Sequence, residues 1–203
     1  MVSYPLTMPA SPAPVRSSIR LVRKTAVAES PFTGQQQTYS HPYALWQMEV
    51  TLPPMTPAQA GAWKAFIVAL QGRRGTFVAG DPDMKVPLGA PGEAPALSGV
   101  TVNGAGQTGN VLNVSGMVNK TLGAGDYIQV GQRLHMVVEN HGGGSGGTTP
   151  LFIEPALRAS PANGSAVVTT SPKGLWRLAS DDIGWDSDHI RLHNFTIACV
   201  EAL

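Results

Sequence analysis

The chain has 203 residues, of which only 13% are charged, with a formal net charge of +1. That length suits one large domain or two small ones, and the charge balance gives no reason to invoke nucleic-acid or anionic-lipid binding. Apolar residues at 42% can build a core, whereas 23 Gly and 17 Pro predict many short elements joined by tight turns. The single cysteine, Cys199, excludes an internal disulfide framework, and no Cys/His spacing suggests zinc. The N-terminus lacks the charged and apolar regions of a signal peptide, and no apolar run approaches the roughly 18 residues of a membrane span. Synthesis and folding in the cytoplasm are expected.

The first fifteen residues carry Pro5, Pro9, Pro12 and Pro14 and predict an extended arm that orders on assembly. Residues 18–28 predict a strand, with Ile19, Leu21 and Arg23 alternating against Arg20, Val22 and Lys24. A polar connector, SPFTGQQQ (30–37), leads to a second strand at 45–52, where Trp46, Met48, Val50 and Leu52 share one face. Together these two strands predict a long hairpin.

One helix is strongly signalled, at about 57–71. Thr56 is the N-cap, Pro57 takes the first helical position and Gln59 completes a capping box. Trp63, Phe66, Ile67 and Leu70 form one apolar stripe, and Gly72 ends the helix as a left-handed cap. A short strand (75–78) and a Gly80-Asp81-Pro82 turn follow, then a Pro/Gly/Ala-rich linker over 83–99.

Short β-type runs fall at 100–102, 111–114, 127–130, 134–139, 151–154 and 166–169, a spacing suited to a small barrel or sandwich. Gly131-Gln132 has the signature of a type II′ hairpin turn, and 141–147 (HGGGSGG) that of a flexible loop tip. Runs at 175–179 and 190–200 close the chain, the last with Phe195, Ile197 and Cys199 on one face. The expected fold is mainly β, or β-rich α+β. A discontinuous outer domain (1–86 with 173–203) holds an inserted β domain (87–172).

Candidate chemistry is sparse. The 104–109 segment matches GxGxxG but runs into a strand rather than a helix, so it reads as a turn and not as a phosphate cradle. Asp181, Asp182, Asp186, Asp188, His189 and His193 offer oxygen and nitrogen donors without an EF-hand pattern. On a strand, His189 and His193 would stand roughly 13 Å apart, too far to share one ion. There is no GxSxG elbow, Cys199 sits in an apolar run, and neither His41 nor His135 has a carboxylate nearby in sequence. No catalytic residue, metal or cofactor is expected, and an enzyme is disfavoured. Arg73 and Arg74 follow the helix and complement its dipole, or pair between subunits, or meet DNA in transit. With Gln35, Gln36 and Gln37 of the connector, they are the candidate subunit contacts.

A family resemblance rests on SPFTGQQQ (30–37), TLPPMTPAQAGAW (51–63) and LQGRRGTFVAGDP (70–82). GDYIQVG (125–131), IEPALR (153–158) and KGLWRL (173–178) extend it over most of the chain beyond residue 16. The sequence resembles the distal tail proteins of siphophages and prophages, structural components of the virion. The resemblance implies a tail-tube-like outer domain, a β-sandwich or split barrel with a packed helix. A hexameric ring would then join tail tube to tail tip or baseplate around a DNA channel, with the 18–52 hairpin in its wall. The inserted domain would be an outward barrel, in some relatives of oligonucleotide/oligosaccharide-binding (OB) type. Implied partners are further copies of the chain, the tube protein and tail-tip proteins, with DNA only in the lumen and no membrane. The implied location is the distal end of the virion tail. Rival readings are a receptor- or carbohydrate-binding module, another minor tail component, and a peptidoglycan hydrolase. The low charge agrees with an assembly subunit, because such a surface is readily desolvated.

Overall fold

A computed structural model describes residues 3–143, 147–189 and 191–203, so the predicted 141–147 loop tip and the start of the 190–200 run lie partly outside the described residues. The chain opens with a two-residue strand, β1 (Leu6–Thr7), and the long strands β2 (Arg16–Glu29) and β3 (Gln36–Thr51). Helix α1 (Pro57–Leu70), a 3-10 turn (Gly72–Arg74) and β4 (Phe77–Ala79) follow. Next come β5 (Thr101–Val102), β6 (Gly109–Ser115), β7 (Thr121–Leu122), β8 (Tyr127–Val130) and β9 (Arg133–Val137). β10 (His141–Gly142), β11 (Thr149–Leu157) and β12 (Val167–Val168) complete the middle of the chain. The return leg holds β13 (Gly174–Leu178), the small pair β14 (Asp186–Ser187) and β15 (His193–Asn194), and β16 (Thr196–Glu201).

The fold is mainly β, with one α-helix among the described residues. Strands from both ends of the chain build the first sheet, in the order β1-β4-β13-β16-β3-β2, antiparallel except for β1–β4. Its inner face carries Trp46, Met48 and Val50 of β3 beside Ile197 and Cys199 of β16, all at most 4% exposed. This is the period-two alternation of a half-buried strand. Helix α1 covers that face with Ala60, Trp63, Phe66, Ile67 and Leu70. An edge-on contact between Phe66 of the helix and Phe77 of β4 (5.4 Å between centroids) ties helix to sheet, and Trp63 stacks edge-on against Phe66 within the helix (6.1 Å). Burying each such ring contributes about 2–3 kcal/mol.

The helix starts as the sequence predicts, with a capping box in which the Gln59 side chain accepts the Thr56 backbone N–H at 3.1 Å. It ends one residue earlier. Gln71 already takes a left-handed conformation (φ 52°), and Gly72 continues it (φ 69°). The left-handed φ favours glycine at the second position, and a Cβ on Gly72 would lie 2.5 Å from Asp181 Oδ1 and displace that carboxylate.

The Pro-rich N-terminal segment is extended, yet it docks on its own chain rather than lying free. Tyr4 Oη donates to the Ala69 carbonyl at 2.6 Å, Leu6 N–H bonds Thr76 O, and Tyr4, Leu6 and Met8 pack against the core. The C-terminal run is also less continuous than predicted. β15 pairs with β14, His193 exchanges two backbone bonds with Met55, and the sheet strand begins only at Thr196.

The second sheet runs β12-β8-β9-β11-β6-β5, and Thr101 bridges Ala166 beside β12, so the six strands nearly close on themselves. An OB barrel has five strands. Leu112, Val114, Ile128, Val137, Leu151 and Ile153 fill the interior. Between β8 and β9, Gly131 takes φ 61° and Val130 pairs with Arg133, as the two-residue turn predicts. Asp126 fixes the preceding linker by accepting backbone N–H groups from Leu88 (2.7 Å), Gly89 (3.0 Å) and Gly123 (2.7 Å).

Candidate functional site: a projecting two-stranded arm

β2 and β3 pair from Arg16–Thr51 out to Glu29–Gln36, but β16 covers β3 only over Gln47–Thr51. Beyond Trp46 the hairpin has no third strand. Ten residues of β3 (36–45) therefore project, roughly 34 Å at the rise of an antiparallel strand. Both edges of this arm present unpaired N–H and C=O groups, a template for pairing with another chain.

Several features mark the arm. Between Thr25 and Ser40 its only charged side chain is Glu29. Val27, Phe32 and Tyr39 are 56%, 94% and 64% exposed. The turn is tied by Gly34 N–H to Ser30 O and Ser30 N–H to Gln35 O, both 2.9 Å, and it presents Phe32 at its tip. The register shifts between Arg23–Ala44 and Thr25–Ser40, so that His41, Pro42 and Tyr43 on β3 stand opposite Lys24 alone, two residues in excess. Pro42 has no N–H for the ladder, so a bulge at this point is its natural setting. Lys24 Nζ lies 4.9 Å over the Tyr43 ring, which holds the bulge from one side.

The barrel clamps the root of the arm. Arg23 pairs with Glu154 of β11, and Arg158 donates to the Ala44 carbonyl at 2.7 Å. Trp46 Nε1 donates to Leu134 O of β9 at 2.9 Å. Trp46 N–H donates to Glu201 Oε2 (3.2 Å), and the other Glu201 oxygen accepts from Arg133 of β9 at 3.3 Å. Arm, sheet and barrel thus meet at Glu201. Burial pushes its carboxyl above the usual carboxylate range, against the opposing pull of Trp46 N–H, Arg133 and Arg158.

The predicted contact residues fall into two groups that the fold does not unite on one element. Gln35, Gln36 and Gln37 stand at the arm's outer end, with Gln36 Nε2 donating to Glu29 at 3.2 Å and Gln37 opposite Ala28. Arg73 and Arg74 occupy the 3-10 turn beyond α1, where Arg73 N–H meets Asp181 Oδ1 (2.7 Å) and Arg74 binds Gln71 Oε1 (2.8 Å). Nothing local in the sequence signals Glu201, Arg133 or Arg158. Phe32 passed unremarked inside a polar connector, although an aromatic next to Pro31 in a turn was the available signal.

Elsewhere the structure shows packing rather than chemistry. Gly104, Gly106 and Gly109 all have positive φ and form the β5–β6 turn, closed by Gln107 side-chain bonds to Asn103 O and Asn113. Asp181 serves the 3-10 turn, and Asp188 Oδ1 accepts Leu192 N–H at 3.0 Å. No group of three or more His, Cys, Asp or Glu among the described residues is placed to hold a metal. Burial pushes the Cys199 thiol up to about 12 and the His135 imidazole down to about 4, and His135 Nδ1 lies 2.7 Å from Pro155 O. Of the two aromatics on which a barrel receptor site would draw, Tyr127 is buried against Trp46, and Phe152 is 38% exposed beside His141. No helix among the described residues is long and apolar enough to cross a membrane. Comparison with protein-family models and with curated proteins finds no match to this chain.

Proposed function

We propose that the protein is a non-catalytic structural subunit of a long-tailed bacteriophage tail, a distal tail protein that assembles as a hexameric ring between tail tube and tail tip. The observation that carries this reading is the arm. It is long, nearly uncharged and unpaired on both edges, so it is readily desolvated and well suited to pairing with copies of itself. One edge belongs to β2 and the other to β3, so neighbours related by rotation can pair β3 of one with β2 of the next. Such a contact is heterologous and closes into a ring when the rotation permits. Closure removes the exposed edges that make a lone hairpin an aggregation hazard. The barrel, clamped at the arm's root, fixes the angle at which the arm leaves the sheet.

Electron microscopy of the purified protein, alone at high concentration and with its tail-tube neighbour, tests the proposal. Sixfold rings with an open lumen are expected. Monomers under both conditions would overturn the ring and shift the reading toward a binding module.

A further inference from the structure

We propose that the arm's tip seats in a groove on the opposite edge of the first sheet of a second copy of this chain, Phe32 entering the groove and Glu29 meeting Lys85 and Lys173 at its rim. The inference deepens the ring reading and rests on it. Phe32 is 94% exposed at the end of the arm, so its own chain gives it almost no apolar cover. An aromatic ring so placed is the kind of residue that anchors an interface when a pocket receives it.

The sheet order puts the arm and the groove at opposite ends: β2 is one outer strand and β1 the other. Beside β1 and β4 lies an open groove of about 390 Å³, with Met8, Pro9, Ala10 and Pro172 in its walls. A cavity of roughly 150 Å³ already admits a benzene ring, so a phenyl group fits with room for the adjoining backbone. Pro9, Ala10 and Pro172 in those walls lose little conformational freedom when covered.

Charge selects the same pairing. Glu29 is the only charged residue on the arm between Thr25 and Ser40. Lys85 and Lys173 border the groove, both exposed, and neither takes part in the two ion pairs found among the described residues. Asp81 also borders the groove, so its rim carries two positive charges against one negative and stays net positive. A tip-to-tip dimer would instead set two Glu29 carboxylates side by side and leave the groove empty. A knob on one edge and a hole on the other make a head-to-tail contact, the kind that propagates around a ring.

Paired cysteines in the full chain test this directly. Phe32→Cys combined with Ala10→Cys should give a ladder of intermolecular disulfides on mild oxidation, while each single variant should not; Cys199 is buried and does not compete. Sedimentation of Phe32→Ser and of Glu29→Lys should show self-association weakened about tenfold or more, the scale of an aromatic or charged anchor. The double reversal Lys85→Glu with Lys173→Glu should restore association of Glu29→Lys. All these side chains are exposed, so melting temperatures should stay unchanged. If rings form equally well in Phe32→Ser and Glu29→Lys, and no mixed ladder appears, the tip–groove contact is wrong while the ring stands. A disulfide-linked dimer from Phe32→Cys alone would mean tip-to-tip pairing and also overturn it. A chain that stays monomeric at every concentration and never cross-links overturns both readings.

Discussion

The indole N–H of Trp46 reaches the carbonyl of Leu134 at 2.9 Å, joining β3 to β9 across 88 positions of sequence. The same residue is 4% exposed, packs edge-on against Tyr127 at 5.8 Å, and is the last residue of β3 before the unsupported arm begins. One side chain therefore holds the point where a supported strand becomes a projecting one.

Trp46→Phe should keep most of the packing but leave the Leu134 carbonyl without its buried donor. The expected cost is about 1–3 kcal/mol, the penalty of an orphaned polar group plus the smaller ring. Urea denaturation measures it. A change below a few tenths of a kcal/mol would mean that the barrel is not tied to the arm's root through this bond.

His135 predicts an acid weakness. Burial holds its imidazole at about 4, below the usual 6.5. Because the unfolded chain takes up the proton first, stability from neutral His135 is present above pH 6.5 and is lost as pH falls toward 4. A shift of that size corresponds to roughly 3 kcal/mol at full expression. Denaturation from pH 7.5 to 4.5 should show this loss in the wild type and a flatter profile in His135→Gln. Parallel profiles would rule out the buried neutral histidine as its source.

What the sequence disclosed follows from the range of the forces involved. Trp46, Met48 and Val50 alternate within one strand, and Trp63, Phe66, Ile67 and Leu70 repeat within one helix, so local periodicity exposes both. The Gly131 turn is local in the same sense. Glu201 was invisible because its partner Arg133 lies 68 residues away and meets it only after the barrel folds back on the sheet. The bulge at 41–43 had a local sign in Pro42, but a register is a property of two strands, and β2 gives no complementary sign. Phe32 was missed for another reason: exposure of an aromatic cannot be read where composition suggests an ordinary turn.

The barrel's turn geometry gives a test independent of the arm. Gly116 has φ 86°, and a Cβ there would fall 2.0 Å from the Gly99 carbonyl oxygen. Both the left-handed conformation and the clash oppose any side chain, and the neighbour that would have to move is backbone. Gly116→Ala should therefore cost at least about 2 kcal/mol, above the usual left-handed penalty alone. An unchanged melting temperature would mean that the segment after β6 does not run against residue 99.

Glu201 makes the sharpest electrostatic prediction, because its sign runs against intuition. Its carboxyl is buried and paired with Arg133, which suggests a stabilising ion pair. Yet its affinity for protons is raised, so the folded chain favours the neutral form more than the unfolded chain does. By linkage, the contribution of this group becomes more favourable as pH falls through its raised folded value toward the ordinary carboxylate value, and least favourable at neutral pH. Glu201→Gln keeps an oxygen for Trp46 N–H, removes the cost of burying charge, and lets Arg133, whose side chain is 29% exposed, turn to water. Stability at pH 7 should be equal or higher, and the part of the mild-acid dependence that comes from this group should vanish. Glu201→Leu also removes the charge but abandons the Trp46 N–H, and it should cost about 1–3 kcal/mol. Thermal melts of the two variants separate the roles. If Gln is as damaging as Leu, the charge itself holds the joint between arm and barrel; if only Leu is damaging, the hydrogen bond to Trp46 does.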